Sequence, residues 1–465
     1  MAAANRNAIK VHKEHVQNKI DEVNRRAYAC GDNNVLDENL RALLKSIKEL
    51  IELQSLKQDG KKKPQAKAES AKEKEQKANA LFKEFDVWLK KNSVQSDSIA
   101  LVGDLNEGNG LVASKDIKEG EKIIEIPPHL LITLKGAKEG NHSLKEFVND
   151  NEMLKTVPAL CLAIYLLYEK QALASFYAPY IRMLPKEYNL PINWEYEELK
   201  ELQGLAQRET VKLIKNTIKQ YAYLHTMRLE HKTFTPATFT LEAFLWAVST
   251  VMSRQNEIPD GEKASQLALI PFWDMANHAE GKMTTFFEDG VVRCSAMQDF
   301  QKGEQIRIFY GRRPNRELLI YQGFVIPNNS SDVVTLVVNI DKSSTVFPEI
   351  KRLLGAESIE VVVAGGEEGK EMCLPLFRLL CMSEEEVKTI QDMEQLKEKS
   401  TQKLDDEREK KAVQMMQKLI QETLSLYPTT LKQDKDLLEK NMSQRKKLAV
   451  QARVYDKEIL HSLLA

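Results

Sequence analysis

Four short stretches of the chain gather the residues able to do chemistry. "LALIPFWDMANHAEG" (267–281) is the densest: Pro271 breaks an apolar run, and Trp273, Asp274, Asn277 and His278 come at once after it. Asp and Asn alone would suggest a turn. Beside Trp273 and with His278, straight after a buried strand, they describe a polar pocket with an apolar wall. His278 has no second ligand at suitable spacing, so no metal site is expected. "TVMSRQNEIP" (250–259) places Arg254, Gln255 and Asn256 where an apolar helical stripe runs out. A guanidinium can grip a carboxylate through two hydrogen bonds, and a side-chain amide can donate and accept. The same residues also suit a helix end facing water. "EQIRIFYGRR" (304–313) alternates as a strand with Ile306, Ile308 and Tyr310 on one face. Taken alone, Tyr310 would be core or rim. "EGNGLVA" (107–113) has the G-x-G-x-x-A spacing of a weak dinucleotide fingerprint. The residues after it are strand-like, which disfavours a Rossmann turn. That leaves a hairpin that needs glycine, or a loop that lets a ligand approach the backbone.

The elements that must position these residues can be read from periodicity. Residues 98–135 ("SIALVGD", "GLVASKD", "EKIIEIP", "LLITL") read as short β-branched strands between Gly, Asp, Asn and Pro. Residues 145–250 switch to helical spacing, with Phe244, Ala247, Val248, Val251 and Met252 as one buried stripe. Short strands return over 265–325. Neither β block has enough strands for a core alone, so the two are expected to form one domain with the helices inserted between them. "SKDIKEGEKIIEI" (114–126) and "MQDFQKGEQIRIF" (297–309) echo each other and read as two similar strand–turn–strand hairpins. Leu40, Leu43, Leu44, Ile47, Leu50 and Ile51 form an apolar helical face that could pack on the body or form half of a coiled coil. Between Lys61 and Ala80 lie seven lysines, three glutamates and no large apolar residue, a solvated linker or loose helix with helix resuming near residue 80. From about 383 the chain is charged and helical, and "SEEEV" opens with a capping box, Ser383 to Glu386.

The 465 residues suggest about two to four domains. With 42% apolar and 29% charged residues and a net charge of −1, no global field draws the protein to nucleic acid or membrane. No apolar run nears the ~20 residues that cross a bilayer, and the N-terminus lacks a signal-peptide core. Five cysteines without a CxxC argue against a disulfide framework or a cysteine-rich zinc site, and a reduced compartment, cytoplasm or nucleus, fits.

The GxG loop, the Asn-His pair and the strand leading to Tyr-Gly, in that order, resemble the SET-domain methyltransferases. The long insertion and helical tail resemble the branch of the Rubisco large-subunit methyltransferase, and within it the enzymes that methylate a histidine of actin. This resemblance covers roughly residues 85–465. It implies an α+β fold: a SET-domain β fold of short strands with a helical insertion, followed by an all-α C-terminal substrate-binding domain. The divisions are 1–80 (charged helical extension and linker), 81–330 (SET domain, insertion at about 135–250) and 331–465. It implies S-adenosyl-L-methionine held by Glu107, Gly108, Asn109, Arg254, Asp274, Met275, Ala276, Asn277, His278 and Gln322. It makes Asn256 and Tyr310 catalytic and puts Trp273, Ile308 and Arg313 on the substrate side. Asn109 departs from the family's aromatic residue between the loop glycines, and Gln322 from its serine. The arginine that the family supplies ahead of the domain has no clear match, with Lys77 and Ala78 near its place. The reaction implied is methylation of an actin histidine at the tele nitrogen by a monomeric enzyme. The alternatives are a lysine methyltransferase of the same branch and a non-catalytic peptide-binding module.

Overall fold

The computed structural model describes residues 2–31, 37–57, 60, 70–140, 142–231, 233–261 and 264–465. They divide into two compact units, Met1–Asn193 with Lys212–Gly311, and Trp194–Val211 with Arg312–Ala465. No described helix is long and apolar enough to cross a membrane.

In the first unit, helices Ala2–Ala29 and Glu38–Ser55 bury Ile20, Val23 and Ala27 together with Leu40, Leu43, Ile47 and Leu50. Gln54 then ties this pair to the body: its Nε2 donates to Tyr221 Oη (2.7 Å) and its Oε1 accepts from the Leu241 N–H (2.8 Å). The apolar face is therefore spent within the unit. Most of the lysine-rich segment lies outside the described residues. Helix resumes earlier than its composition suggests, over Ala71–Lys91, because Ser70 and Glu73 form a capping box. Helix Pro158–Gln171 is buried from Leu160 to Leu167, as a helix that is apolar all round must be. It packs against helix Leu241–Arg254, which starts on a Thr240 cap.

Among the described residues of this unit ten strands form, nine from the two β blocks and one, β5, just ahead of the second: β1 Ile99–Leu105, β2 Gly108–Ala113, β3 Lys122–Ile126, β4 Ile132–Thr133, β5 Asn256–Pro259, β6 Ser265–Leu269, β7 Asn277–His278, β8 Thr285–Glu288, β9 Val291–Ser295 and β10 Gln305–Ile308. They make three sheets, ordered β1-β2-β10-β7, β3-β9-β8 and β4-β6-β5. Each sheet draws strands from both sides of the helical stretch, so neither block is self-sufficient.

The two echoing segments do not form two separate hairpins. The strand after each glycine pairs elsewhere, β3 with β9 and β10 with β2, while the segments before the glycines lie against each other. Ile117 and Phe300 exchange both backbone bonds (2.8 and 2.9 Å). Gly120 N–H donates to Ala296 O (2.9 Å), as Gly303 N–H does to Ala113 O (2.8 Å). Asp116 accepts from Lys302 N–H and Asp299 from Glu119 N–H (2.8 and 2.9 Å). The echo is thus a two-fold pairing in which each copy satisfies the other's polar backbone.

The second unit is mainly helical. Its core gathers Leu336, Cys373, Phe377, Met416, Ile420 and Leu460. The predicted capping box forms at Ser383. An antiparallel ribbon, β11 Val334–Asn339 with β12 Ser358–Val363, adds to the helices that the sequence led us to expect there. Asp434 is fully buried between Arg453 (2.8 Å) and Lys457 (2.5 Å), and removing one partner of such a group would leave a buried charge uncompensated.

Candidate active site

The four-stranded sheet joins three of the four chemistry-bearing stretches. β10 pairs antiparallel with β2 (Ile306 with Leu111) and parallel with β7, with Arg307 opposite Asn277 and Ile308 opposite His278. The GxG hairpin and the Asn-His pair therefore flank the strand that leads to Tyr310. The fourth stretch, at Arg254–Asn256, is tied to the Asp274 turn by side chains.

The hairpin loop sits tightly on its neighbours. Asn277 Nδ2 donates to Asn109 O at 3.3 Å. A Cβ on Gly110 would lie 2.6 Å from Leu105 Cδ1 and 3.0 Å from Asn277 Nδ2, so only glycine lets the loop approach this closely. Gly108 has φ +94° and needs glycine for conformation instead. Arg307 clamps the loop from β10: its Nη2 reaches Glu107 (2.7 Å) and its Nη1 reaches His278 O (3.0 Å). Arg307 was missed by sequence reading. Its signal was the alternation of "QIRI", which turns Arg307 away from buried Ile306 and Ile308.

His278 is a clamp. Its Nδ1 accepts the Tyr310 backbone N–H at 3.2 Å, which places the proton of the neutral ring on Nε2. Burial holds its pKa below the usual histidine value. Tyr310 lies two residues beyond β10, and its hydroxyl donates to Ala276 O at 2.7 Å. Burial pushes the phenol up to about 12, so it stays protonated at neutral pH.

Arg254 and Asp274 are given largely to each other. Arg254 Nη1 donates to Asp274 O (2.6 Å) and lies 3.6 Å from Asp274 Oδ2. That carboxylate, 2% exposed, also accepts the Tyr180 hydroxyl at 2.5 Å. Burial pushes the Asp274 carboxyl up, with Arg254 and Tyr180 pulling the other way. Two atoms of the pair, Arg254 Nε and Asp274 Oδ1, are buried without a hydrogen-bond partner among the described residues. No spacing rule could have found Tyr180, since it stands 94 residues before Asp274.

Asn256 is not a helix end. The helix stops at Arg254, Gln255 is extended, and Asn256 opens β5 opposite Ala268. Its Nδ2 donates to Arg254 O at 3.0 Å. Since only the amide nitrogen can donate to a carbonyl, the orientation is fixed, and Oδ1 remains an acceptor with no hydrogen bond to a described residue.

Of the remaining residues, Met275 and Ala276 are buried. Trp273 is 6% exposed and its indole N–H donates to Thr285 Oγ1 at 2.9 Å, so the indole is anchored as a wall. Ile308 is buried in the core. Arg313 and Gln322 belong to the second unit. Arg313 is exposed. Gln322 ends a π-helical turn closed by Gly323 at φ +83°, and its Oε1 is buried without a partner among the described residues. No described group of His, Cys, Asp or Glu residues could hold a metal ion.

The SET-domain family pattern matches residues 108–311, and a Rubisco LSMT substrate-binding pattern matches residues 347–460. Two solved structures have the same fold. The SET domain of LSMT bound to lysine and AdoHcy has a TM-score of 0.71 at 22% identity, covering 83% of this chain and 90% of that one. Rubisco LSMT bound to sinefungin and monomethyllysine has 0.69 at 23%, covering 82% and 90%. The chain belongs to the SET-domain methyltransferase family, in the branch that carries the Rubisco LSMT substrate-binding region. Within that branch it is similar to the actin-histidine N-methyltransferases of Homo sapiens and Mus musculus. Each is 35% identical over 400 residues, spanning 82% of this chain and 67% of the relative.

Proposed function

We propose that this S-adenosylmethionine-dependent SET-domain methyltransferase transfers its methyl group to the tele nitrogen of a histidine in actin. The observation that carries the histidine reading is the amide of Asn256. Its nitrogen is committed to Arg254 O, so it offers a substrate only an acceptor. A nucleophilic imidazole must be neutral and must present a lone pair. When Asn256 Oδ1 accepts the N–H of the ring nitrogen nearer the substrate backbone, the opposite, tele nitrogen keeps its lone pair and a fixed direction. A lysine ammonium, whose ordinary pKa is about 10.4, would first have to lose a proton, and one acceptor amide does not remove it.

The chain's own groups fit the cofactor. Arg254 Nε and Asp274 Oδ1, a buried donor and a buried acceptor without partners among the described residues, suit the carboxylate and ammonium of its amino-acid end. The backbone of Glu107, Gly108 and Asn109, with Asn277, His278, Met275 and Ala276, would form the rest of the cradle. When bound, the cofactor supplies an electrophilic methyl group on a sulfonium. Tyr310 keeps its proton and holds Ala276 O, Trp273 walls the target ring, and positioning supplies most of the acceleration.

The test is mass spectrometry of actin incubated with the protein and S-adenosylmethionine, the modified residue being located by fragmentation. Methyl on a histidine, reduced in Asn256→Ala, is expected. Methyl on lysine would give the lysine reading, and cofactor binding without transfer would give the peptide-binding module.

A further inference from the structure

We infer that Tyr180 is a positioning residue for Asn256, acting through Asp274 and Arg254. The inference rests on the proposed role of Asn256 as the acceptor for the target ring. The chain of contacts is continuous. The Tyr180 hydroxyl donates to Asp274 Oδ2 at 2.5 Å, and that oxygen lies 3.6 Å from Arg254 Nη1. Arg254 Nη1 in turn donates to the Asp274 backbone oxygen at 2.6 Å, and the Arg254 backbone oxygen holds the Asn256 amide at 3.0 Å. Tyr180 is fully buried, with its ring near Phe85, so its hydroxyl has little freedom to point elsewhere.

The consequence comes from burial. The Asp274 side chain is 2% exposed, so its charge is met by protein groups, and Tyr180 is one of them. With Tyr180 donating to Oδ2, Arg254 reaches past the carboxylate to the main-chain oxygen. Without that donor, the guanidinium is drawn onto the carboxylate. Arg254 is the last residue of its helix, with extended Gln255 next, so a shift of its side chain moves the carbonyl that aims Asn256. Tyr180 therefore sets the direction of the acceptor while touching neither substrate nor cofactor.

The experiment is a double-mutant cycle of Tyr180→Phe and Asn256→Ala, with monomeric actin as substrate and S-adenosylmethionine saturating. Melting temperature is followed for every variant. Tyr180→Phe is expected to lower kcat about tenfold with KM for actin unchanged, the scale of a small misplacement of a positioned group. In the Asn256→Ala background it is expected to have less than about a twofold effect, because its target is already gone. An equal loss in both backgrounds would overturn the inference in favour of a general packing role, and no loss in either would also overturn it. If Asn256→Ala alone leaves kcat on the histidine unchanged, the Asn256 reading itself fails and the relay falls with it. Should Tyr180→Phe not fold, Asp274→Asn takes its place in the same cycle, read by the same non-additivity.

Discussion

Replacing Gly110 by alanine tests the loop as a cofactor cradle, and its cost can be built from distances. The added Cβ meets Leu105 Cδ1 at 2.6 Å, Asn277 Nδ2 at 3.0 Å and Gln305 Nε2 at 3.1 Å. Leu105 presents the end of a flexible side chain and can turn away. Gln305 Nε2 has no hydrogen bond to a described residue to lose. Asn277 cannot yield cheaply, because its bond to Asn109 O is already 3.3 Å long and a few tenths of an ångström more breaks it. Overpacking of this kind costs about 1–3 kcal/mol, of which the lost hydrogen bond is about 1 kcal/mol. If Asn277 serves the cofactor, titration calorimetry with S-adenosylmethionine should show affinity weakened roughly 5- to 150-fold, since about 1.4 kcal/mol is tenfold. Gly108→Ala is the matched control. It meets nothing within 4 Å but sits at φ +94°, so it carries a strain of about 1–2 kcal/mol without pushing Asn277. It should lower the melting temperature comparably while weakening cofactor binding less. Equal affinity losses for the two variants, or a Gly110→Ala protein that binds normally, would refute the idea that Asn277 is what the glycine protects.

Three further outcomes rest on the same geometry. The rate of transfer to histidine should rise with one proton lost near about pH 6.5, the ordinary value for a histidine ring. It should then stay flat to about pH 9, because Tyr310, pushed up to about 12, does not titrate there; a rate climbing about tenfold per unit toward pH 10 would point to lysine. Tyr310→Phe removes the donor to Ala276 O, at a cost of about 1–3 kcal/mol for an unsatisfied buried carbonyl, and should lower kcat/KM roughly 5- to 150-fold; unchanged kinetics would remove Tyr310 from the site. Asp456 is 3% exposed and accepts the Tyr427 hydroxyl, and burial, opposed by Arg316, pushes its carboxyl up to about 6. A raised acid contributes stability that is full below about pH 3.8 and lost as pH rises through about 6, so Asp456→Asn should raise stability by roughly 3 kcal/mol at about pH 8 and by nothing at about pH 3.5. Thermal unfolding of both proteins at the two pH values checks this, and equal shifts at both would show that the carboxyl is not the cause.

Much of the site could be read from local chemistry. A GxG hairpin, an Asn-His pair after Trp-Asp and a strand running to Tyr-Gly each have a spacing that a single element imposes: glycine where φ is positive or backbones crowd, alternation where a strand has two faces. The helix carrying the Phe244–Met252 stripe, the box at Ser383 and the insertion between two incomplete β blocks were legible for the same reason. The tertiary structure decided what spacing cannot encode. It set β10 between the hairpin and the Asn-His pair, and it turned the echoing segments from two hairpins into one two-fold pair. It bent the chain after Arg254 so that Asn256 opens a strand instead of ending a helix. It also brought Tyr180 to Asp274 across 94 residues and committed Arg254 and Asp274 to each other. A buried carboxylate takes whatever donor the packing brings within reach, and a sequence does not state which side chains will be lifted out of water together.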